Sequence, residues 1–424
     1  MRNLKDISLS TVIKGKILII AVDTLPLTLT EDTPEIFIYD NVEYNLKDKC
    51  CRATALGTRT WQTANEIRKI ISDDIYRKSF VTKSEYIILE KEIKESITIL
   101  IPDINYPGLQ YIANTEFTFK SYNYKKATFN YSKELEKEIN NFDTIIIQMI
   151  GGIGFLNFPL ISKDKIVIYD GFENQLISLP YAIQNYDESY KREYTRNYKF
   201  YYEKILERVD YILYTNEPMK YYYESQLYFI GKLGYDNFKE SPLIKFPYLL
   251  ENNTNKMIEA TPLIDRVGIK NDSHVLKLLW YGPSYNWYDI LKLLDIIKDT
   301  KSVTLDMYAV KHPRYKNSWN EKLFENLPDN VKIIEEYQDM RWNIYKNYDA
   351  AILLAKGDIE DYYANRCRLY DMLSFGLPII TNASNPIFTE IEMEKDRYNL
   401  KKVIVEDIVL SSEIKMKKLS ISWE

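Results

Sequence analysis

Residues 360–381 read EDYYANRCRLYDMLSFGLPIIT, and the order of side chains in this stretch decides how the rest of the chain is read. Arg366 and Arg368 stand just ahead of Asp371. An apolar turn then leads into Gly376-Leu377-Pro378 and the short run Ile379-Ile380. A nucleotide-diphosphate site at a helix end needs cations for phosphate, a carboxylate for ribose hydroxyls and a tight turn beside a buried strand. The two arginines lie two apart, so on a regular helix they do not share a face. One is expected toward the site, the other toward the loop or Asp371. A solvated helix start with a salt bridge to Asp371 or Glu360 accounts for the same spacing.

Outward from this block, short β-branched runs alternate with longer amphipathic segments, the pattern of parallel sheets covered by helices. Strands are expected over Ile17–Val22, Ile97–Ile101, Thr144–Met149, Ile166–Tyr169 and Tyr211–Thr215, with a helix including Thr63 to Ile71. After a polar, irregular stretch from Leu250 to Asp272, a second series is expected. Its strands are Leu276–Tyr281, Ser302–Ala309, Val331–Ile334, Ala350–Leu354 and Pro378–Thr381, and its helices are Trp287–Lys298 and Asp339–Asn347. Two βαβ series imply an α/β protein of two Rossmann-like domains facing a central cleft. The expected division is 1–250 and 251–396, with residues from about 397 to 424 crossing back onto the first domain.

Bulk composition supports this size and narrows the function. A chain of 424 residues exceeds one typical core and suits two domains. With 46% apolar and 28% charged residues and a net charge of -5, it is globular and is not a dedicated nucleic-acid binder. Its three cysteines, Cys50, Cys51 and Cys367, form no metal spacing or disulfide framework and fit a reducing, cytoplasmic compartment. Residues 1–16 lack the apolar core of a signal peptide. The longest apolar run, Thr144 to Ile161, is broken by Gly151, Gly152, Gly154, Asn157 and Pro159, which suits a buried strand and its loop better than a membrane span. Only two histidines, His274 and His312, are present beside 37 tyrosines. Histidine-rich metal catalysis is thereby excluded.

A second candidate element is Leu278 to Asp289, LLWYGPSYNWYD. Here a strand runs into Gly282-Pro283-Ser284 and a helix start, where free N–H groups and the helix dipole favour an anion. An ordinary βα turn has the same residues. The next strand ends at Lys311-His312-Pro313, which sets a cation on the same sheet edge. His312 by itself also reads as a loop residue.

Glu360, five residues, Arg-Cys-Arg-Leu-Tyr-Asp and then Leu-Ser-Phe-Gly-Leu-Pro-Ile-Ile resembles the donor-site signature of GT-B glycosyltransferases. The likeness is to the family 4 type, in which E-x5-R-x-R-x-x-D precedes a-G-L-P-v-v. Trp280-Tyr281-Gly282 with Asn286-Trp287-Asp289 resembles the strand-loop-helix after that family's hinge, and His312-Pro313 a His-Pro after its next strand. Gly57-Thr58-Arg59-Thr60-Trp61 is similar to its Gly-x-x-x-Arg turn. Tyr169 to Glu173 looks like its D-x-x-x-P strand end, and Asp210 to Gly234 and Phe246-Pro247 match later segments in order. Together these cover most of residues 57 to 390.

The resemblance implies transfer of a sugar from a nucleotide-diphosphate sugar to a hydroxyl-bearing glycan, lipid-linked or protein acceptor, with retention and with no metal or other cofactor. Arg366 or Arg368, joined by Lys311, would stabilise the departing diphosphate. Asp371 would bind the ribose hydroxyls, Glu360 would lie near the donor sugar, and Gly282, Pro283, Ser284, His312, Gly57 and Arg59 would line the donor site. Asp170 or Glu173 stands where relatives place a histidine, although either also reads as a strand-end capping residue. The ten residues between Glu360 and Asp371, where the usual family 4 pattern sets seven between its two carboxylates, and Ala383-Ser384-Asn385-Pro386 in place of Gly-Gly keep two alternatives open. These are a non-catalytic nucleotide-sugar binder and a nucleotide-sugar epimerase.

Residues 187–207 place Tyr190, Tyr194, Tyr198, Tyr201, Tyr202 and Ile205 along one helical stripe, with Lys191, Arg192, Arg196, Lys199 and Lys204 on other faces. Such a helix can contact a membrane peripherally or pack its aromatic stripe on the first domain. Asp187, Glu188, Glu193 and Glu203 offset the cations, which favours packing.

Overall fold

The apolar β-branched runs become strands covered on both faces. The structure is a computed structural model. It describes residues 7–381 apart from 46–54, 78–82, 104–107, 113–115, 123–136, 149–160, 249–274, 309–325, 335–343 and isolated positions that include 283, 376 and 378.

In chain order the first elements are α1 (Leu9–Val12), β1 (Ile17–Ile20), β2 (Ile36–Tyr39), β3 (Val42–Asn45), α2 (Ala55–Arg77), α3 (Lys83–Ser96), β4 (Ile97–Pro102) and β5 (Thr118–Tyr122). They are followed by β6 (Thr144–Gln148), β7 (Ile166–Asp170), α4 (Gln175–Ala182), α5 (Glu188–Arg208), β8 (Tyr211–Tyr214), α6 (Glu217–Phe229) and β9 (Leu243–Lys245). The second series comprises β10 (Leu276–Tyr281), α7 (Ile290–Lys298), β11 (Val303–Tyr308), β12 (Val331–Ile333), β13 (Ala350–Leu353), α8 (Ile359–Tyr363), α9 (Cys367–Ser374) and β14 (Ile379–Thr381).

Two compact units result. The first contains Met1–Glu173 and Arg196–Pro247, the second Asn174–Thr195 and Tyr248–Glu424. The sequence reading draws one boundary near residue 250; chain contacts add an excursion, residues 174–195, that carries α4 and the start of α5 into the second unit.

In the first unit the sheet order is β5-β4-β1-β6-β7-β8-β9, and every neighbouring pair is parallel. Each residue of β1, β4 and β6 is buried, as expected of strands with helices on both faces. In the second unit the order is β12-β11-β10-β13-β14, again parallel throughout. The order reverses between β10 and β13. In open parallel sheets such a reversal leaves a crevice beyond the carboxyl ends of the strands, where ligands bind.

Every strand expected from the sequence is present, with bounds that match or differ by at most two residues among those described. The β2–β3 hairpin, β5 and β9 were not expected: β9 has three residues and β5 reads TFKSY, too short or too polar for a periodic signal. The helix expected from Trp287 starts instead at Ile290, capped by Asp289, whose carboxylate accepts from Lys292 N at 3.4 Å. The preceding turn is tied to the end of β13, with Asp289 N donating to Leu354 O at 3.0 Å and Lys356 N to Trp287 O at 3.3 Å. Residues 339–343 of the helix expected over Asp339–Asn347, and the tail from 397, lie outside the described residues. Among those described, no helix is long and apolar enough to cross a membrane.

The aromatic stripe of α5 divides. Tyr198, Tyr202, Ile205 and Leu206 are buried, in the part of α5 that belongs to the first unit. Tyr169 and Tyr223 meet edge to face at 6.1 Å and Tyr222 and Tyr223 at 5.3 Å. Tyr223 donates its hydroxyl to Gly171 O at 3.1 Å. A Cβ on Gly171 would come within 2.6 Å of that ring, so only glycine permits the approach. Burial pushes the phenols of Tyr169, Tyr202 and Tyr223 well above their ordinary value.

These phenols ionise less readily folded than unfolded, so their contribution is complete below the unfolded pKa of about 10 and fades as pH climbs above it. We expect stability to fall above pH 10, by up to about 1.4 kcal/mol per pH unit for each phenol. Denaturant titrations at pH 9, 10 and 11 should show a shallower fall for Tyr202→Phe than for the parent. Equal slopes would exclude this tyrosine as a source.

Candidate functional site

The carboxyl ends of β10 and β13 collect the expected site residues of the second unit. Trp280, near the end of β10, is fully buried. Gly282 follows with φ +105°, a conformation that favours glycine, and its N–H donates to Tyr308 O at 2.9 Å. A Cβ at this position would sit 3.0 Å from Arg368 Nη2 and 3.1 Å from Cζ. The Arg368 guanidinium therefore lies directly against the Gly282 backbone.

Two rings hold that cation in place. Arg368 Cζ is 4.5 Å from the Tyr288 ring centroid and 5.4 Å from that of Trp280, and the rings meet edge to face at 5.0 Å. Each cation–π contact stabilises by about 0.5–2 kcal/mol, depending on desolvation. Trp280 Nε1 donates to Gly282 O at 3.0 Å, which pins the turn from below. Ser284, 2% exposed, has a buried hydroxyl that finds no hydrogen-bond partner among the described residues.

Arg366 occupies a different setting. Its Nη2 donates to Glu360 Oε2 at 2.7 Å and Asp361 Oδ1 at 2.9 Å, and its Nη1 to Glu360 Oε1 at 3.3 Å. All three side chains are buried, and the guanidinium also stands 5.2 Å from the Tyr288 centroid. The salt bridge to Glu360, one of the arrangements that the spacing allowed, is formed by Arg366. Burial pushes the Glu360 carboxyl above its ordinary range, with Asp361 and Asp358 adding to it while Arg366 pulls the other way. Beside this triad Arg366 Nε and both amide atoms of Asn365 are buried with no hydrogen-bond partner among the described residues.

The excursion 174–195 joins the same region. Asp358 caps α8, accepting from Glu360 N at 3.1 Å and Asp361 N at 3.3 Å. It also accepts a hydrogen bond from the hydroxyl of Tyr181 in α4. Asn286 Nδ2 donates to Tyr181 O at 3.4 Å, and Lys356 Nζ lies 5.9 Å from the Tyr181 ring centroid. Burial, then Asp358, pushes the Tyr181 phenol up.

In the first unit Arg59, in the opening turns of α2, is 0% exposed. Its Nε donates to Asp170 Oδ2 at 3.0 Å and its Nη2 to Oδ1 at 3.1 Å. The remaining donors reach Pro247 O at 2.8 Å and Phe246 O at 2.7 Å. Phe246 and Phe172 present their rings at 4.2 and 5.5 Å. Asp170 and Arg59 thus hold one another at the end of β7. Gly57 is buried two residues earlier in α2, and Glu173, partly exposed, lies just beyond β7.

Gly282, Ser284, Glu360, Arg366 and Arg368 thus come together in the second unit, while Gly57, Arg59, Asp170 and Glu173 stand in the first. Asp371 lies within α9, but its side chain, like Pro283, Lys311 and His312, is outside the described residues. Among the described residues no three His, Cys, Asp or Glu side chains form a metal-holding group. Sequence reasoning missed Tyr288, which both arginines face, and Tyr181. Neither carries a local signal, because each acts through a partner distant in the chain.

No protein-family model matches the sequence, and no curated protein sequence matches it. Among similar solved structures is a sucrose-phosphate synthase from Thermosynechococcus elongatus, 12% identical over 90% of this chain and 84% of that one, with a TM-score of 0.51. Anabaena HepE in complex with UDP and glucose is 9% identical over 89% and 83%, TM-score 0.47. The UDP-GlcNAc 2-epimerase of Neisseria meningitidis is 11% identical over 92% and 95%, TM-score 0.39. The last two scores are too low to carry weight. At such identities the likeness speaks to fold alone: two Rossmann-like units of the GT-B class.

Two substitutions test the local geometry. Gly282→Ala should cost more than about 1 kcal/mol, from the strained φ and the approach to Arg368; unchanged stability in chemical denaturation would rule out both constraints. Arg366→Ala leaves Glu360 and Asp361 buried without their counter-ion and should cost about 3–5 kcal/mol. Replacing all three by apolar residues (Arg366→Met, Glu360→Leu, Asp361→Leu) should cost less than the single change.

Proposed function

We propose that the protein is a glycosyltransferase that moves a sugar from a nucleotide-diphosphate sugar to a hydroxyl-bearing acceptor, with retention and without a metal ion. The observation that carries this reading is the Arg368 guanidinium lying against Gly282 where the order of the second sheet reverses. A glycine turn lets phosphate approach the backbone closely, and the cation offsets the negative charge that grows on the departing diphosphate. The buried Ser284 hydroxyl can donate to a phosphate oxygen, which would relieve the roughly 1–3 kcal/mol that an unpaired buried group costs. Asp371 is assigned to the ribose hydroxyls, and Lys311 to the phosphates as a second cation.

Arg366 serves differently in this reading. Held by Glu360 and Asp361, it keeps the start of α9 in register so that Arg368, two residues on, meets the turn. Asp170 or Glu173, at the end of β7, is the carboxylate proposed to meet the acceptor hydroxyl. In the transfer, the bond between sugar and diphosphate breaks and a bond to the acceptor oxygen forms, while the acceptor hydroxyl passes its proton to the departing diphosphate. A solved structure sharing the fold is, by name, a sucrose-phosphate synthase.

The engagement of Arg366 and of Asp170 in buried ion pairs favours one alternative, a nucleotide-sugar binder that lacks the reaction. A thermal-shift series with UDP, GDP and their sugars tests the site. A ligand at a hundred times its Kd stabilises by about 2.7 kcal/mol, and Arg368→Ala should weaken that ligand at least about tenfold. No shift with any of them would sink the nucleotide-sugar reading. A shift without any hydrolysis or transfer would favour the binder, and epimer formation would identify an epimerase.

A further inference from the structure

One residue bonds to both sides of the candidate site without being among those assigned to the ligand. Tyr181 lies near the end of α4, in the excursion 174–195. Its hydroxyl donates to Asp358 Oδ2. The other carboxylate oxygen, Oδ1, accepts from Glu360 N at 3.1 Å and from Asp361 N at 3.3 Å. The phenol thereby fixes the rotation of the carboxylate that caps α8, and with it the direction from which Glu360 and Asp361 meet Arg366. On the other side, Tyr181 O accepts from Asn286 Nδ2 at 3.4 Å, in the turn that carries Gly282 and Ser284.

α4 does not hold this position by its own helical bonds. It has eight residues, QLISLPYA, fewer than the roughly 12–15 that make an isolated helix even marginal in water. Pro180 stands inside it and supplies no N–H to the carbonyl of Leu176, four residues back. Its place is therefore set by what it packs on. Leu179 is buried, the Tyr181 ring lies 5.9 Å from Lys356 Nζ, and Tyr181 makes the polar bonds to α8 and to the Asn286 turn. A bond from a phenol to a carboxylate is charge-assisted, roughly twice as strong as one between neutral groups. Its acceptor here is the cap of the helix whose carboxylates hold Arg366, two residues before the guanidinium that lies against Gly282.

We propose that Tyr181 is a positioning residue for the nucleotide-sugar site: docked on Asp358, it sets the α8 cap and so the place of Arg368 against the Gly282 turn. The inference rests on the donor reading above. Linkage makes the effect reciprocal. A ligand whose phosphates need Arg368 in place binds more tightly when Tyr181 is docked, and once bound it holds Tyr181 and α4 down.

The experiment measures binding of UDP, GDP and their sugars to the full chain by calorimetry, and amide hydrogen exchange of residues 175–182 with and without the tightest of them. Tyr181→Phe keeps the ring beside Lys356 and the carbonyl that Asn286 reaches, and loses the bond to Asp358. It should bind that ligand about tenfold more weakly, equivalent to about 1.4 kcal/mol. In the parent the ligand should slow exchange across α4 at least about threefold, and in Tyr181→Phe it should not. A tyrosine that served stability alone would lower the melting temperature and leave both readouts of the folded protein unchanged. Once Asp358→Ala has removed the partner, adding Tyr181→Phe should weaken the ligand no further. Equal affinity of Tyr181→Phe and the parent, exchange in α4 that the ligand does not alter, or additive losses in the double variant would overturn the role of Tyr181 and leave the donor reading standing. Failure of the parent to bind any of these nucleotides removes the donor reading itself, and this role with it.

Discussion

A buried cation between two buried carboxylates, Arg366 with Glu360 and Asp361, is the constraint on which the arrangement of the second unit turns. Charges taken out of water cost several kcal/mol each, and the loss is recovered only when geometry and hydrogen bonding are good. The chain between Asp358 and Cys367 therefore has little freedom. Asp358 must cap α8 so that Glu360 and Asp361 point inward, and α9 must begin where Arg366 can meet them. Once α9 is set, Arg368 falls on Tyr288, Trp280 and the Gly282 turn.

The first unit contains a parallel device with a different result. Arg59 satisfies Asp170 and two carbonyls, those of Phe246 and Pro247, from one guanidinium. Its planar fork of five donors suits several acceptors held in fixed directions, as a lysine ammonium would not. The end of β7, the start of α2 and the chain just after β9 are thereby joined at one point. Both arginines were candidates for ligand charge. Both are engaged by their own unit, while the guanidinium that lies against the Gly282 turn is that of Arg368.

Much of the architecture was legible because it rests on local pattern. Runs such as Ile17–Ile20 and Ile97–Pro102 are apolar on both faces and have few alternatives to a central parallel strand. The glycine-bearing turn after Trp280 could be placed on a strand end for the same reason. The excursion 174–195 could not, since nothing in QLISLPYA says which unit its helix will cover. Nor could the division of the α5 stripe, in which Tyr198 and Tyr202 are buried while Tyr190 and Tyr194 stand exposed; periodicity shows that the rings share a side but not where the cover ends.

By itself the sequence determined the α/β class, the two strand series and the short list of charged residues at strand ends. These follow from apolar periodicity and from the few places where glycine, proline and charge interrupt it. Tertiary structure alone decided which charges are used up inside the protein. Arg366 and Arg368 differ by two positions and not at all in chemistry, yet one lies between carboxylates and the other on a glycine turn. That difference arises because ion pairing depends on distance and desolvation, and both are set by which elements pack together.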